Sequence, residues 1–250
     1  MKEDTDMKTY EEKIEALRNA INRAENIVFF GGAGVSTESG LPDFRGEQGL
    51  YRKKYGLPPE SYFSILLLKN DPEEFFRFQR KRILSYKAEP NAAHLKLAEL
   101  EAQGKLRAVI TQNVDGLHQA AGSKNVIELH GNIAGCHCMI CRKSYDLSSI
   151  LETTGVPRCK LCHGIIRPDT VLYGERVNKQ QVKKAAEYIK DADLLIIGGT
   201  SLTVIPAKSL ILEYDIKKKP LIIINLSLTE LDDYAEIVIH EKIGKVLSAV

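Results

Sequence analysis

The sequence has 250 residues, of which 44% are hydrophobic, so it is long and apolar enough to fold around a sizeable core. Its 35 basic and 33 acidic residues leave a formal net charge of +2, which gives no field that would indicate a nucleic-acid or other polyanion partner. The polar, acidic start MKEDTDMKTYEEK lacks the composition of a signal peptide, and no apolar run approaches membrane-spanning length. We therefore expect a cytoplasmic protein.

The first predicted element is an amphipathic helix that ends near Arg23. Thr9 and Glu12 form a capping-box pattern, and apolar residues follow at helical spacing. After it come short, apolar, β-branched runs, which are typical of strands covered on both faces by helices. These runs are residues 27–30, 107–111, 193–197 and 220–225.

Helical patterns lie between the predicted strands. One begins after Asn91, a good N-cap residue, and Gly104 is positioned to end it. Another covers residues 182–190 and precedes the third predicted strand. This alternation predicts an α/β fold with a Rossmann-like, doubly wound parallel sheet.

Two long stretches interrupt the alternation. Residues 41 to about 90 contain no obvious strand, and residues 131 to about 172 hold all five cysteines. Connections of this length usually belong to function or to an inserted module. We expect a nucleotide-binding-type domain with a second, smaller domain made of both insertions, and a site in the crevice between them. The large domain would comprise residues 1–40, 91–130 and 173–250, and the small one a helical module (41–90) and a zinc-binding module (131–172).

Four of the five cysteines have the spacing of a zinc site. Cys138-x2-Cys141 is followed after 17 residues by Cys159-x2-Cys162, and each turn aims two sulfurs at one tetrahedral ion. Four thiolates leave no open position for water, which indicates structural zinc. Redox use of one CxxC is the alternative, and two pairs at this separation favour zinc. Cys136 could replace Cys138, but its spacing chelates less well and a free thiol is expected.

A glycine-rich stretch follows the first predicted strand. Gly31, Gly32 and Gly34 lie where small residues let backbone amides approach a pyrophosphate at a helix N-terminus. The stretch lacks the third glycine and the later acidic residue of the dehydrogenase fingerprint, and it lacks the Walker A lysine. A hydride-transfer enzyme and a P-loop NTPase are therefore disfavoured. The tetrapeptide PDFR at 42–45 suits a nucleotide with a positively charged ring, or is merely a helix-breaking turn.

Several motifs follow one another in a characteristic order. They are GAGVSTESGLPDFRG at 32–46, TQNVDGLH at 111–118, ELHGN at 128–132, the cysteine quartet, and GTSLTVIPA at 199–207, followed by Asn225. Together they resemble the motifs of the sirtuins, the NAD-dependent protein-lysine deacylases, and the resemblance runs from about Ala24 to the C-terminus. It implies a Rossmann-like large domain, a small domain of a helical and a zinc module, structural zinc, and NAD consumed as a cosubstrate.

The reaction that the resemblance implies is NAD-dependent deacetylation of protein lysine. The carbonyl oxygen of the acetyl-lysine attacks the anomeric carbon of the nicotinamide ribose, nicotinamide leaves, and the acetyl group ends on ADP-ribose. The partners would be acetyl-lysine proteins or peptides, with no membrane and no direct nucleic-acid binding. Protein mono-ADP-ribosyl transfer and a non-catalytic NAD or ADP-ribose sensor are the alternatives.

The resemblance also implies site residues. The histidine of the HG motif is the catalytic base, here His130, and imidazole titrates in the range that suits a base. From the sequence alone, a histidine beside a CxxC is a metal ligand or a core residue about as often as it is a catalytic base. Asn113 would act at the ribose and its water, and Asp115 would contact the nicotinamide carboxamide. The implied cofactor contacts are Gly32, Ala33, Asp43, Phe44, Arg45, Gln112, Asn113, Asp115, Gly199, Thr200, Ser201 and Asn225.

The segment VLYGE at 171–175 resembles the family segment that pairs with the substrate backbone as an added strand. Its residues are Val171, Leu172, Tyr173, Gly174 and Glu175, and the family usually has phenylalanine at the position of Tyr173.

Acyl preference is indicated by two positions in the helical module. Sirtuins that prefer acidic acyl groups carry a Tyr-x-x-Arg pair, and this chain aligns Phe76 and Gln79 there. Neither supplies the charge that a carboxylate needs, so we expect acetyl or a longer apolar acyl group over succinyl.

Overall fold

The computed structural model describes residues 9–46, 49–52, 56–84, 88–205 and 207–250. Three parts of the sequence-based predictions lie outside these ranges: the first eight residues of the large domain, parts of the helical module, and Pro206 of the GTSLTVIPA motif.

The centre of the molecule is a parallel sheet, as predicted, and it has six strands within the described residues. Numbered in chain order, its strands are β1 (Ile27–Gly31), β2 (Leu106–Thr111), β3 (Val126–Glu128), β7 (Leu194–Gly198), β8 (Leu221–Ile224) and β9 (Ile237–Ile239). Their spatial order is β3-β2-β1-β7-β8-β9, so the winding reverses between β1 and β7. Open α/β sheets bind ligands at such a reversal, outside the carboxyl ends of the strands.

Helices cover both faces of this sheet. They are α1 (Tyr10–Arg23), α4 (Ala92–Ala102), α5 (Leu117–Ala120), α7 (Lys179–Asp191), α8 (Ala207–Leu210) and α9 (Ile243–Leu247). Neighbouring residues of a strand point to opposite faces, so Phe29 packs with Leu17 and Leu97 while Phe30 packs with Ala185 and Ile189. Burial on both sides is the reason that all five residues of β1 are inaccessible.

The helix ends follow the predicted caps. Thr9 and Glu12 form the capping box of α1, and the side chain of Asn91 accepts a hydrogen bond from the amide of Ala93 at the start of α4. Gly104, with φ of +76°, lies just past the end of α4, where the left-handed conformation favours glycine. Among the described residues, no helix is long and apolar enough to cross a bilayer.

The two insertions share a core of their own. The first contributes α2 (Ile65–Asn70) and α3 (Pro72–Leu84). The second forms an antiparallel sheet of β4 (Gly131–Cys138), β5 (Ser144–Asp146) and β6 (Ile166–Thr170), with the short helix α6 (Ser148–Leu151). Buried residues from both insertions pack together, among them Leu68, Phe75, Phe76, Cys136, Ile150 and Ile166.

Candidate active site

Two glycine-rich turns pack against each other where the sheet reverses. The amide of Gly34 donates to the carbonyl of Gly199 over 2.8 Å, and that of Gly32 donates to Gly198 over 3.3 Å. A Cβ on Gly34 would lie only 2.7 Å from the Cα of Gly199, whose φ of +58° also favours glycine. The helix that begins here, at residues 33–39, is a 3-10 helix. These glycines bring the turns after β1 and β7 together, and the amides of Gly32 and Gly34 already donate hydrogen bonds to backbone carbonyls.

A polar cluster lies beside this turn. The side chain of Asn113 donates to Ser36 Oγ over 3.1 Å, and Ser36 Oγ donates to Asp115 Oδ2 over 2.7 Å. The other carboxylate oxygen of Asp115 accepts the amide of Leu117 over 3.0 Å. The structure thus brings the predicted Asn113 and Asp115 together through Ser36, a residue that the sequence analysis did not single out within the GAGVSTESG motif.

Gln112 connects the ends of three strands. Its backbone amide donates to the carbonyl of Gly31 at the end of β1 over 3.0 Å. Its side-chain amide donates to Thr200 Oγ1, just beyond β7, over 2.9 Å. Because Gln112 directly follows β2, the ends of β1, β2 and β7 are held as one surface.

His130 follows β3 and faces the same strand ends. Its Nδ1 lies 3.0 Å from the backbone carbonyl of Gln112. A carbonyl only accepts hydrogen bonds, so Nδ1 carries the proton and Nε2 has the free lone pair of a base. Burial lowers the pKa of His130 from its ordinary value, with the bond to Gln112 opposing the change. His130 does not belong to the cysteine cluster.

The predicted PDFR segment lies against the helical module. Asp43 accepts the amide of Gly46 in a turn, over 2.9 Å. The ring of Phe44 makes edge contacts with Phe63 and Tyr51, with centroids 5.6 and 5.7 Å apart. Phe44 therefore ties the segment to the rest of the helical module.

The remaining predicted cofactor residues line the other side of the reversal. The amide of Gly199 donates to the carbonyl of Ile224 over 3.1 Å, which places it beside Asn225 at the end of β8. Asn225 is nearly buried, and its side chain donates to the carbonyl of Ser227. Ser201 is exposed and pairs with Thr203, whereas Ala33 begins the 3-10 helix. Two surface grooves of about 550 and 350 Å³ lie against α3 and α7, and none of the predicted site residues lines them.

The predicted substrate segment, residues 171–175, is already hydrogen-bonded on one side. The amide of Val171 donates to the carbonyl of His130, and that of Tyr173 donates to the carbonyl of Phe63, each over 2.8 Å. The amide of Leu172 donates to the carboxylate of Glu175, which also forms an ion pair of 2.6 Å with Arg167. An added strand would therefore have to use the remaining backbone groups of this segment, such as those of Gly174.

The four cysteines of the two CxxC turns meet at one point. Their sulfurs all lie within 4.8 Å of one another, with Cys138 and Cys162 3.4 Å apart and Cys141 and Cys159 3.6 Å apart. Tetrahedral zinc with Zn–S bonds of about 2.3 Å places its sulfurs roughly 3.8 Å apart. The arrangement fits a structural zinc ion.

Cys136 is not part of this cluster. It is buried beneath it, and burial raises the pKa of its thiol to about 12. The predicted free thiol is therefore an unreactive one.

A sheet reversal closed by packed glycines, with a polar cluster and a histidine at the same strand ends, is typical of an enzyme that binds a nucleotide, and here a cysteine cluster that fits zinc is attached. The Sir2 family profile matches residues 32–206, and the chain belongs to this family.

Curated relatives match over nearly their whole length. The NAD-dependent protein deacetylase of Clostridium acetobutylicum is 50% identical over 242 residues, which cover 96% of this chain and 98% of the relative. That of Clostridium perfringens is 49% identical over 242 residues, covering 96% and 99%. That of Staphylococcus epidermidis is 43% identical over 239 residues, covering 95% and 96%.

Solved structures agree with this assignment. A Sir2 variant with a deacetylated p53 peptide and 3'-O-acetyl ADP ribose has a TM-score of 0.87 and 39% identity, covering 95% of this chain and 96% of the other. A Sir2 complex with a p53 peptide and NAD+ has a TM-score of 0.84 and 38% identity, covering 94% and 95%.

Proposed function

We propose that NAD-dependent protein deacetylation, the activity of this chain, takes place at the carboxyl ends of β1, β2 and β7 with His130 as the general base. The observation that carries this proposal is the 3.0 Å contact between His130 Nδ1 and the carbonyl of Gln112, which leaves Nε2 free to accept a proton. The full-length similarity to relatives named NAD-dependent protein deacetylase supports it.

In the proposed reaction, the carbonyl oxygen of acetyl-lysine attacks the anomeric carbon of the nicotinamide ribose, and nicotinamide leaves with the electrons of the glycosidic bond. His130 removes a proton from a ribose hydroxyl, so that the adjacent ribose oxygen attacks the carbon of the former acetyl group. Water completes the release of lysine, and the acetyl group stays on ADP-ribose. A structural neighbour holds 3'-O-acetyl ADP ribose, which supports this product.

The protonation state of His130 suits this role. Because burial lowers its pKa, the imidazole is neutral near pH 7 and ready to accept a proton. Its Nδ1–H remains bonded to the carbonyl of Gln112, which keeps the ring oriented during the transfer. The ring therefore needs no rearrangement before it acts.

We assign the polar cluster to the nicotinamide half of NAD. Asn113 would act at the ribose and its water, and Asp115 would bind the carboxamide. The carboxylate of Asp115 is oriented from two sides, by Ser36 and by the amide of Leu117. The other proposed cofactor contacts are Ala33, Asp43, Phe44 and Arg45 along the cofactor, Gly32 and Gln112 at the turn, and Gly199, Thr200, Ser201 and Asn225 around the adenosine half.

The substrate class is acyl-lysine peptides. Structural neighbours of this chain were solved with an acetylated and with a propionylated peptide, which supports this class. We propose acetyl-lysine proteins as the substrates, entering between the large and small domains beside residues 171–175. The boundaries of the two domains given above are part of this proposal.

Zinc would be held by Cys138, Cys141, Cys159 and Cys162, and it would stabilise the small domain without taking part in the reaction. We propose the cytoplasm as the location, because the spacing of the cysteines favours a zinc site over a disulfide framework, as in proteins of a reducing compartment.

The test is a mass spectrum of an acetyl-lysine peptide after incubation with the protein, with and without NAD. We expect loss of the acetyl group only with NAD, together with acetyl-ADP-ribose. His130→Ala should abolish this turnover while the zinc content stays unchanged. Labelled NAD left covalently on an acceptor protein without deacetylation would overturn the proposal in favour of ADP-ribosyl transfer, and NAD bound but not consumed would favour a sensor.

A further inference from the structure

Two tyrosine hydroxyls join the predicted substrate segment to the cofactor segment. The hydroxyl oxygens of Tyr51 and Tyr173 lie 2.9 Å apart, although the residues are 122 positions apart in the chain. Tyr173 belongs to the segment VLYGE, and Tyr51 follows the PDFR segment. A phenylalanine at position 173 could not make this contact.

Both backbone polar groups of Tyr173, its amide and its carbonyl, are hydrogen-bonded. Its amide donates to the carbonyl of Phe63 over 2.8 Å, and its carbonyl accepts the amide of Ile65 over 3.0 Å. The residue is nevertheless 40% exposed, so its side chain reaches Tyr51 at the protein surface from a fixed backbone. The hydroxyl of Tyr173 is therefore a defined anchor point.

Tyr51 in turn holds the two residues that we assign to the cofactor. Its ring meets Phe44 edge-on at 5.7 Å, and its amide donates to the carbonyl of Phe44 over 2.9 Å. The guanidinium carbon of Arg45 lies 5.2 Å from the centroid of the Tyr51 ring. Burial, followed by the contact with Tyr173, raises the pKa of Tyr51, so the hydroxyl of Tyr51 keeps its proton at physiological pH.

A second route leads from Tyr173 to Phe44. The backbone of Tyr173 binds Phe63, whose ring meets Phe44 edge-on at 5.6 Å. Phe44, Tyr51, Tyr173 and Phe63 thus form a closed ring of contacts. Among these contacts, the hydrogen bond between the two tyrosine hydroxyls can be abolished by removing a single oxygen atom.

We propose that the hydroxyl of Tyr173 is a positioning group for the cofactor, which acts through Tyr51 to hold Phe44 and Arg45 in place for NAD. This inference rests on the proposed function. A segment that is already in place loses less conformational freedom when the ligand binds, so the ligand binds more tightly. The loss of one such hydrogen bond should weaken NAD binding by about threefold to tenfold.

The test compares Tyr173→Phe, Tyr51→Phe and the double variant in steady-state deacetylation. We expect each variant to raise the KM for NAD by about threefold to tenfold. The double variant should raise the KM for NAD no more than either single variant, because each of the three variants lacks the same hydrogen bond. The kcat and the midpoint of thermal unfolding should change little. Tyr10→Phe, which removes a hydroxyl from the start of α1, is the matched control and should leave the KM unchanged.

An unchanged KM for NAD in the single variants would overturn the inference, and so would effects that add in the double variant. A lower unfolding midpoint with the KM for NAD unchanged would show a structural role only and would also overturn it. These outcomes differ from a failure of the proposed function, in which the unsubstituted protein itself would not deacetylate the peptide.

Discussion

Ser36 donates a hydrogen bond of 2.7 Å to Asp115, across the gap between the turn after β1 and the turn after β2. The hydroxyl has one proton, and this bond uses it, so the 3.1 Å contact with Asn113 must be donated by the amide of Asn113. One buried hydroxyl thus orients both a carboxylate and an amide that we assign to the nicotinamide half of NAD.

We therefore expect Ser36→Ala to lower kcat/KM for NAD by about ten- to a hundredfold, since a hydrogen bond to a charged group contributes about 1.5–3 kcal/mol. The matched control is Ser123→Ala, because Ser123 is also buried and its hydroxyl has no partner within the described residues. Steady-state kinetics of both variants is the measurement. An equal loss in the two variants would mean that Ser36 acts only through packing.

The lowered pKa of His130 predicts the pH dependence of the reaction. The base must be neutral to act, and burial shifts its protonation below the ordinary value of 6.5. The acidic limb of kcat/KM should therefore lie below pH 6.5, with activity retained down to that pH. The measurement is a pH profile of deacetylation in a buffer of constant ionic strength. A limb above pH 6.5 would contradict the role of His130 as the base that limits the rate.

Two buried histidines predict how stability depends on pH. The rings of His94 and His118 lie 4.7 Å apart, and both side chains are inaccessible. Burial lowers the pKa of His118 to about 3, with His94 adding to the effect. Burial also lowers the pKa of His94, and the charge of Asp115 partly opposes this shift. Both histidines are therefore neutral in the folded protein at pH 7.

Below pH 6.5, the unfolded chain takes up protons on these histidines while the folded protein does not. Stability should thus be complete above that pH and fall as the pH drops towards 3, by about 1.4 kcal/mol per pH unit for His118, and the lowered pKa of His94 adds to this fall. His118→Phe should make this decline shallower, because the group whose pKa is lowered to about 3 is then absent. Urea unfolding at several pH values between 7 and 5 measures the slope. Equal slopes in His118→Phe and the unsubstituted protein would contradict the prediction.

The cysteine cluster predicts which thiols hold metal. Cys159→Ser should lose zinc and lower the thermal unfolding midpoint, because binding of a structural metal contributes directly to folding. Cys136→Ala is the control, since Cys136 is buried outside the cluster and should leave the metal content at one zinc per chain. Elemental analysis of the purified variants is the measurement. Zinc loss in Cys136→Ala would mean that Cys136 is a ligand.

The small domain predicts the acyl preference. Phe76 is fully buried, and the side chain of Gln79 donates to the carbonyl of Tyr62 over 3.1 Å. The adjacent Arg80 binds the carbonyls of Thr154 and Gly155, so its guanidinium is already engaged. We expect an acetyl-lysine peptide to be cleaved faster than its succinyl twin, measured at equal concentrations. A faster succinyl reaction would contradict this expectation.

Local patterns predicted much of the fold. The strands predicted at 27–30, 107–111, 193–197 and 220–225 agree with β1, β2, β7 and β8 to within one residue at each end. A strand covered on both faces must be apolar throughout, and this leaves a clear local signal. The three-residue strands β5 and β9 carry too few positions for such a signal, and β4 and β6 owe their pairing to partners distant in the chain.

Sequence by itself thus determined the parallel sheet, the helix caps and the cysteine quartet, because each depends on residues close together in the chain. The motifs named His130 and Asn113 only through a family resemblance. Tertiary structure alone decided that β7 lies beside β1, that Ser36 joins Asn113 to Asp115, and that Tyr51 meets Tyr173. These contacts join residues about 80 to 170 positions apart, and no local period or composition encodes such a pairing.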